Sequence, residues 1–200
     1  MSKRLEPQAR ESLKEHEGLF SLFEQVRGFV PNFAFQLGHR PALLKNFMSL
    51  YRTIMLEGSV TTSLKFLVAL VSSRVAASSY CQALVGSAAL NVGVPQSKID
   101  ATHDFENSTE LREEEKAALR LAVSASTVPS TVTDEMMTDV KRHYDEGQIV
   151  EILATISIFG FLNRWNTTLA TPIEESPLEF ANEHLASFGW KAGPHVSDAP

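Results

Sequence analysis

Apolar positions along the chain recur at helical spacing. Leu13, Leu19, Phe20, Leu22, Phe23 and Val26 mark one side of a first helix predicted over about Gln8 to Arg27, weakened in its middle by Gly18. Gly28-Phe29-Val30-Pro31-Asn32 breaks it, because the residue before a proline is pushed towards extended backbone. A second helix starts at Pro41, a favoured first-turn residue, and runs to about Leu56 on Leu43, Leu44, Phe47, Leu50, Tyr51 and Ile54. Glu57-Gly58-Ser59 ends it. The third pattern is of another kind. From Thr61 or Thr62 to about Leu90 the chain is apolar or small almost all the way round, with Leu64, Phe66, Leu67, Val68, Leu70, Val71, Val75, Leu84 and Val85. Such a helix is buried on all sides. Its small residues, Ala76 to Ser79, Ala83 and Gly86 to Ala89, let neighbours come close. Asn91-Val92-Gly93-Val94-Pro95 stops it.

A short helix follows at Gln96 to Thr102, then a polar loop from His103 to Thr109 and a helix over Glu113 to Ser126. After the turn Val128-Pro129-Ser130-Thr131, Thr133 or Thr131 caps a sixth helix ending at Gly147. The seventh, Gln148 to Leu169, is apolar round most of its surface. Ser176-Pro177-Leu178-Glu179 spells a capping box that opens the last helix, and Gly189 closes it. Lys191 to Pro200 is expected to be a loose tail. No alternating run lies between hairpin turns, so the fold class is all-α, with seven to eight helices in one domain over residues 1–190. Lys65 to Ser73 and Ala117 to Ser126 echo each other, as a duplicated hairpin or as two amphipathic helices using common residues.

Composition narrows the function. With 18 basic and 24 acidic residues the net charge is −6, which argues against a nucleic-acid partner and gives no support for an anionic membrane surface. Apolar stretches are interrupted well before the ~18 residues a membrane span needs. The start, Met-Ser-Lys-Arg, has no apolar signal core, so the glycosylation spelling Asn166-Thr167-Thr168 carries no weight. One cysteine excludes an intrachain disulfide and fits a reducing, cytoplasmic compartment. No His-x-x-x-His pair, cysteine cluster or glycine-rich phosphate loop is present, so no metal and no cofactor are expected.

Three stretches carry a family resemblance: Val30-Pro31-Asn32 followed by His39-Arg40-Pro41-Ala42-Leu43-Leu44; Ser78 to Val85 with its Tyr80-Cys81 pair and the later Gly93-Val94 break; and Phe161-Leu162-Asn163-Arg164-Trp165. From about Phe29 to Trp165 the chain resembles the alkylhydroperoxidase D-like (AhpD-like) and carboxymuconolactone decarboxylase superfamily. That pattern is a helix carrying Cys-x-x-Cys-x-x-x-His, with a Glu about three turns upstream. Here the first cysteine aligns with Ser78, the histidine with Val85 and the glutamate with Phe66, so only Cys81 remains. The resemblance implies an AhpD-like helical bundle and a homo-oligomer (dimer, trimer or hexamer) with its pocket near a subunit contact. Two long helices apolar all round also need much covering.

Residues 78, 81 and 85 are spaced to share one helix face. A thiolate needs a nearby cation, donor or base. Valine and phenylalanine offer none. Ser78 is placed to donate one hydrogen bond to Cys81 from one turn away, and Arg74, two turns N-terminal, leans away. Cys81 therefore reads either as a nucleophile or as a small buried hydrophobe. His39 is the first candidate for a replacement base and His103 the second, each also reading as a surface or helix-end histidine. His143 lies in a charged run, and His184 and His195 carry no signal. Tyr80, Asn163 and Arg164 are candidate substrate contacts. An arginine's planar fork suits a carboxylate, or pairs with an acid or a helix C-terminus.

Three functions follow from these residues and the resemblance. One is a peroxidase-related, single-cysteine hydroperoxide reductase using Cys81. Another is a non-redox lyase, decarboxylase or isomerase acting on a small organic acid or natural-product intermediate. The third is a non-catalytic oligomer that binds a ligand. The partners expected are further copies of the chain and a small-molecule substrate.

Overall fold

The computed structural model describes residues 4–196, and among them the chain forms ten α-helices and no strand. The first predicted helix is split. Arg10–His16 is a 3-10 segment kinked at Leu13, and α1 (Glu17–Arg27) follows, ending at Gly28 with φ +81°. Arg10 reaches across the kink to Glu17 and, at 2.6 Å, Glu24. The break at Pro31 also opens a helix that its pattern did not predict. Pro31 takes the N-cap position of α2 (Asn32–Leu37), which buries Phe33, Ala34, Gln36 and Leu37. Proline lacks the N–H that a helix start leaves unused. The next helix, α3 (Pro41–Leu56), has the expected bounds, with its proline in the first turn.

The long third helix is two helices, α4 (Thr62–Val75) and α5 (Ser79–Asn91). Between them Ala77 adopts φ +51° and Ser78 is extended. The N–H groups of Ala76, Ala77 and Ser78 close back on the carbonyls of Ser72, Arg74 and Ser73. The left-handed residue costs alanine roughly 1–2 kcal/mol. Both halves are buried all round, so the apolar pattern runs unbroken through the corner and hides it.

Then come α6 (Gln96–Ala101) and α7 (Glu113–Ser126), the latter as predicted. Thr133 caps α8 (Asp134–Val140), which ends well before Gly147. Asp145 and Gln148 cap each other reciprocally at the start of α9 (Glu146–Leu169), placing Gly147 inside its first turn. The last helix, α10 (Glu175–His184), begins one residue ahead of the Ser176 spelling, with Glu174 at the N-cap and no side-chain cap bond.

Helix α4 is the centre. It packs against α5, α7 and α9, while α5 packs against α9 and α10. The two echoing segments fall on α4 and α7. Lys65 of α4 is 1% exposed, yet its ammonium is held by Glu151 of α9 at 2.8 Å and by the carbonyl of Glu57. The segment read as a loose tail is docked as far as it is described. The Trp190 indole N–H donates to the Ser79 carbonyl at 3.1 Å, His195 is buried with Nδ1–H donating to the Thr171 carbonyl, and Ile173 N–H donates to the His195 carbonyl. These bonds and apolar contacts fix it; residues 197–200 lie outside the described residues. No described helix is long and apolar enough to cross a membrane.

Candidate functional site

The corner between α4 and α5 sets the position of the thiol. Ser78 is the N-cap of α5, so Cys81 is the third residue of its first turn, with no helix running N-terminally from it towards Arg74. Cys81 is 1% exposed. Its sulfur faces Asn166 of α9, whose Nδ2–H donates to Sγ at 3.6 Å and to the Leu162 carbonyl at 2.9 Å. The buried Ser78 hydroxyl lies near Sγ but outside ordinary hydrogen-bonding geometry. Burial pushes the Cys81 thiol up to about 12; Ser78 and Asn166 favour the thiolate, and the charge of Glu174 opposes it.

Glu174 is the second element of the site. Its Oε1 accepts from the Tyr80 hydroxyl at 2.7 Å and from the Asn32 N–H at 2.5 Å. Its Oε2 is buried without a partner among the described residues. Burial holds this carboxyl above the usual range, opposed by Asn32, Tyr80 and the positive charge of Arg27. Tyr80 is fully buried, with its hydroxyl raised well above 10 by burial and by Glu174, and its ring lies 6.0 Å from that of His195.

Arg27 is the third element. Nη2 donates to the Tyr51 hydroxyl at 2.5 Å, and the guanidinium lies within 6.0 Å of the rings of Tyr51 and Phe66. Nη1 is buried without a partner among the described residues. Arg27 and Phe66 help to line an apolar cavity of about 270 Å³, closed by Leu19, Phe23, Met48 and Leu56 with Lys45 and Arg52 among its lining. The cavity thus borders Phe66, the position where the family pattern has its glutamate. Electrostatically the parts run in series: Arg27 acts on Glu174, and Glu174 acts on Cys81.

The residues singled out from the sequence fall into four places. Cys81, Ser78 and Tyr80 come together as above. Asn163 and Arg164 line another cavity, of about 550 Å³, with Ser72, Ser126, Thr167 and Thr168. There the Asn163 Nδ2–H donates to the Ser72 carbonyl at 3.4 Å, and Asn163 Oδ1 and the Ser72 and Ser126 hydroxyls are buried without partners among the described residues. His39 stands apart on the surface, bonded through Nδ1 to the Gln8 amide and through Nε2–H to the Glu6 carbonyl. A ring so committed is no base for Cys81. His103 stacks on Phe188 at 3.8 Å and is pulled down to about 4, first by burial and then by Arg74, which is itself bonded to Thr102. Sequence reasoning missed Arg27, Asn166 and Glu174. The first signal for Asn166 was its place one turn beyond Asn163 on the same buried helix; Glu174 and Arg27 carry none. Among the described residues no group of three or more His, Cys, Asp or Glu side chains is placed to hold a metal.

Residues 41–124 match the model of the carboxymuconolactone decarboxylase family. The uncharacterized protein YnjA of Escherichia coli (strain K12) is 30% identical over 108 residues, which are 52% of this chain and 59% of that protein. Among solved structures, the debrominase Bmp8, with one cysteine replaced by alanine and in complex with 2,3,4-tribromopyrrole, superposes with a TM-score of 0.86 at 33% identity over 92% of this chain and 98% of that one. The AhpD core of an uncharacterized peroxidase-related protein from Ralstonia eutropha JMP134 has a TM-score of 0.77 at 18% identity, covering 88% of this chain and 94% of the other, a likeness of fold alone.

Proposed function

Since the chain belongs to the carboxymuconolactone decarboxylase and AhpD-like family and keeps one cysteine, we propose that it is a cysteine-dependent reductase that removes halogen from a small apolar ring. The observation that carries the reading is a buried thiol, Cys81, adjoining Tyr80, whose hydroxyl donates to the Glu174 carboxyl at 2.7 Å, in a chain that lacks the family's first cysteine, its histidine and its glutamate. The debrominase Bmp8, alike over nearly its whole length, binds a brominated pyrrole, which supports the substrate class.

The chemistry follows from the groups present. An electron-rich ring resists attack at carbon, whereas a soft sulfur accepts the halogen once a ring carbon gains a proton. Glu174, whose carboxyl is held above the usual range, gives that proton and recovers it from the Cys81 thiol. The carbon–bromine bond breaks, a carbon–hydrogen bond forms, and the bromine moves to Sγ. An external thiol then displaces bromide to give a mixed disulfide, and a second external thiol restores Cys81. One ring bromine is reduced to bromide and two thiols are oxidised to one disulfide. The external reductant is required because no second cysteine exists.

The same sulfur would reduce a hydroperoxide by taking oxygen instead of bromine. That route needs a ready thiolate, and the thiol here is held at about 12. The cavity of Asn163 and Arg164 supports a third reading, non-redox chemistry on a small organic acid, which needs no thiol. One experiment separates them. Native protein and Cys81→Ser are given 2,3,4-tribromopyrrole with dithiothreitol, and separately an organic hydroperoxide; bromide, debrominated ring and peroxide are followed. The proposal expects bromide and dibromopyrrole from the native protein only. Peroxide turnover without bromide, or no turnover of either, would end it. We further propose a cytoplasmic homo-oligomer, a reading supported by the exposure of Val128, Val150 and Phe161.

A further inference from the structure

The cavity beside Arg27 has a composition that selects for charge as well as shape. Its walls are apolar, from Leu19, Phe23, Met48, Leu56 and Phe66. Three cations, Arg27, Lys45 and Arg52, are in its lining, and among the described residues no acidic side chain is. Arg52 is answered by Glu57 at 3.1 Å, outside the lining. Arg27 is not answered in full. It spends Nη2 on Tyr51, while Nη1 is buried with no acceptor among the described residues. A buried guanidinium N–H without an acceptor carries an uncompensated desolvation cost. The nearby carboxylate, Glu174, feels the charge of Arg27 but directs its oxygen to Tyr80 and Asn32. The place is therefore built for an acceptor that arrives with a ligand.

The apolar walls restrict which acceptor. A carboxylate or phosphate holds its water tightly and loses much on entering such a space. An anion whose charge is spread over a ring loses less, and its flat face suits the rings of Tyr51 and Phe66. We propose that this cavity binds a small planar aromatic acid as its anion, a phenol or pyrrole acidified by ring halogens, with Arg27 Nη1–H donating to the deprotonated oxygen or nitrogen. The halogenated class rests on the function proposed above; the role of Arg27 in holding an anion does not.

The test is equilibrium binding to the full chain carrying Cys81→Ser, so that turnover does not interfere. The probes are 2,4,6-tribromophenol, largely phenolate at pH 8, and its methyl ether, which has the same shape without the charge. The expected result is saturable binding of the phenolate at least about tenfold tighter than of the ether, strengthening as pH rises through the phenol's own ionisation. Arg27→Met should remove that preference and leave the ether unchanged, and Arg27→Lys should restore part of it. Ser49→Glu, at an exposed lining position, supplies the same test without touching a buried group: it should weaken the phenolate alone. Equal affinity for phenol and ether, or a preference untouched by both Arg27→Met and Ser49→Glu, overturns the inference. Arg27-dependent phenolate binding in a protein that releases no bromide would uphold the anion site and sink the dehalogenase reading. Bromide release without Arg27-dependent binding would do the reverse.

Discussion

The cavity beside Arg27 and the cavity beside Arg164 both border α4, and each has an arginine, yet the second carries far more polar groups in its walls. The first is walled by aliphatic and aromatic groups, and its guanidinium is wedged against Tyr51 and Phe66 with one nitrogen buried and unpaired. The second sets hydroxyls and an amide among apolar side chains such as Val75 and Ile156, and its guanidinium is exposed. An arginine at a wet rim gains little from an anion, because water already satisfies it. An arginine sunk in an apolar wall discriminates between a charged ligand and its neutral twin. The difference also separates the chemistry: Glu174, which holds the Tyr80 hydroxyl beside Cys81 and feels the charge of Arg27, lies outside the lining of the Asn163–Arg164 cavity.

The largest expected effect falls on what the two cavities share. Lys65→Met in α4 leaves Glu151 without its buried partner and should destabilise the fold by about 3–5 kcal/mol, damaging both cavities together in a chemical denaturation curve. The same pair predicts an acid limb. Lys65, Ser59 and Val60 hold the Glu151 carboxyl at about 2 against its burial. Because this lies below the unfolded value, the contribution is complete above about pH 4.5 and is lost as pH falls towards 2, an effect on the order of 3 kcal/mol. Thermal melts across that range should show the loss, and Lys65→Met should shrink it.

Glu174→Gln comes next. It should lower bromide release by about 100-fold, the cost of losing a positioned proton donor, while stability stays within about 1 kcal/mol because an acceptor for Asn32 and Tyr80 remains and the amide matches the shape of the neutral carboxyl. A parallel fall in stability and activity would instead make Glu174 a structural group. Gly86→Ala should cost about 1–3 kcal/mol, since its Cβ would stand 2.4 Å from Cε1 of Phe180 on α10, the helix that Glu174 opens. The smallest effect sharpens the comparison most. Arg164→Gln should leave stability within about 0.5 kcal/mol and bromide release unchanged. A clear drop in bromide would merge the two cavities into one site.

What the sequence disclosed follows from where its signals are local. Helices α3 and α7 have their predicted bounds because each carries one apolar stripe and a clean start. The corner at Ala77 was hidden because α4 and α5 are both buried all round, and a run of small residues fits a straight helix as well as a break. Cys81, Ser78 and Tyr80 stood out together because they share one stretch of chain. Arg27, Asn166 and Glu174 did not, since only packing brings α1, α9 and the start of α10 to the first turn of α5. His39 looked near because it precedes α3, but its ring turns outward to the N-terminal segment.

The central claim is that halogen passes to the sulfur of Cys81 and that an external thiol releases it. Intact-mass analysis of protein quenched during turnover, with glutathione as the only reductant, tests this most directly. The account predicts that, in the presence of 2,3,4-tribromopyrrole, a fraction of the chain gains one glutathione by disulfide linkage at Cys81, that this species disappears as the bromopyrrole is consumed, and that Cys81→Ser never shows it. Bromide release with Cys81 unmodified throughout, or undiminished in Cys81→Ser, would contradict it.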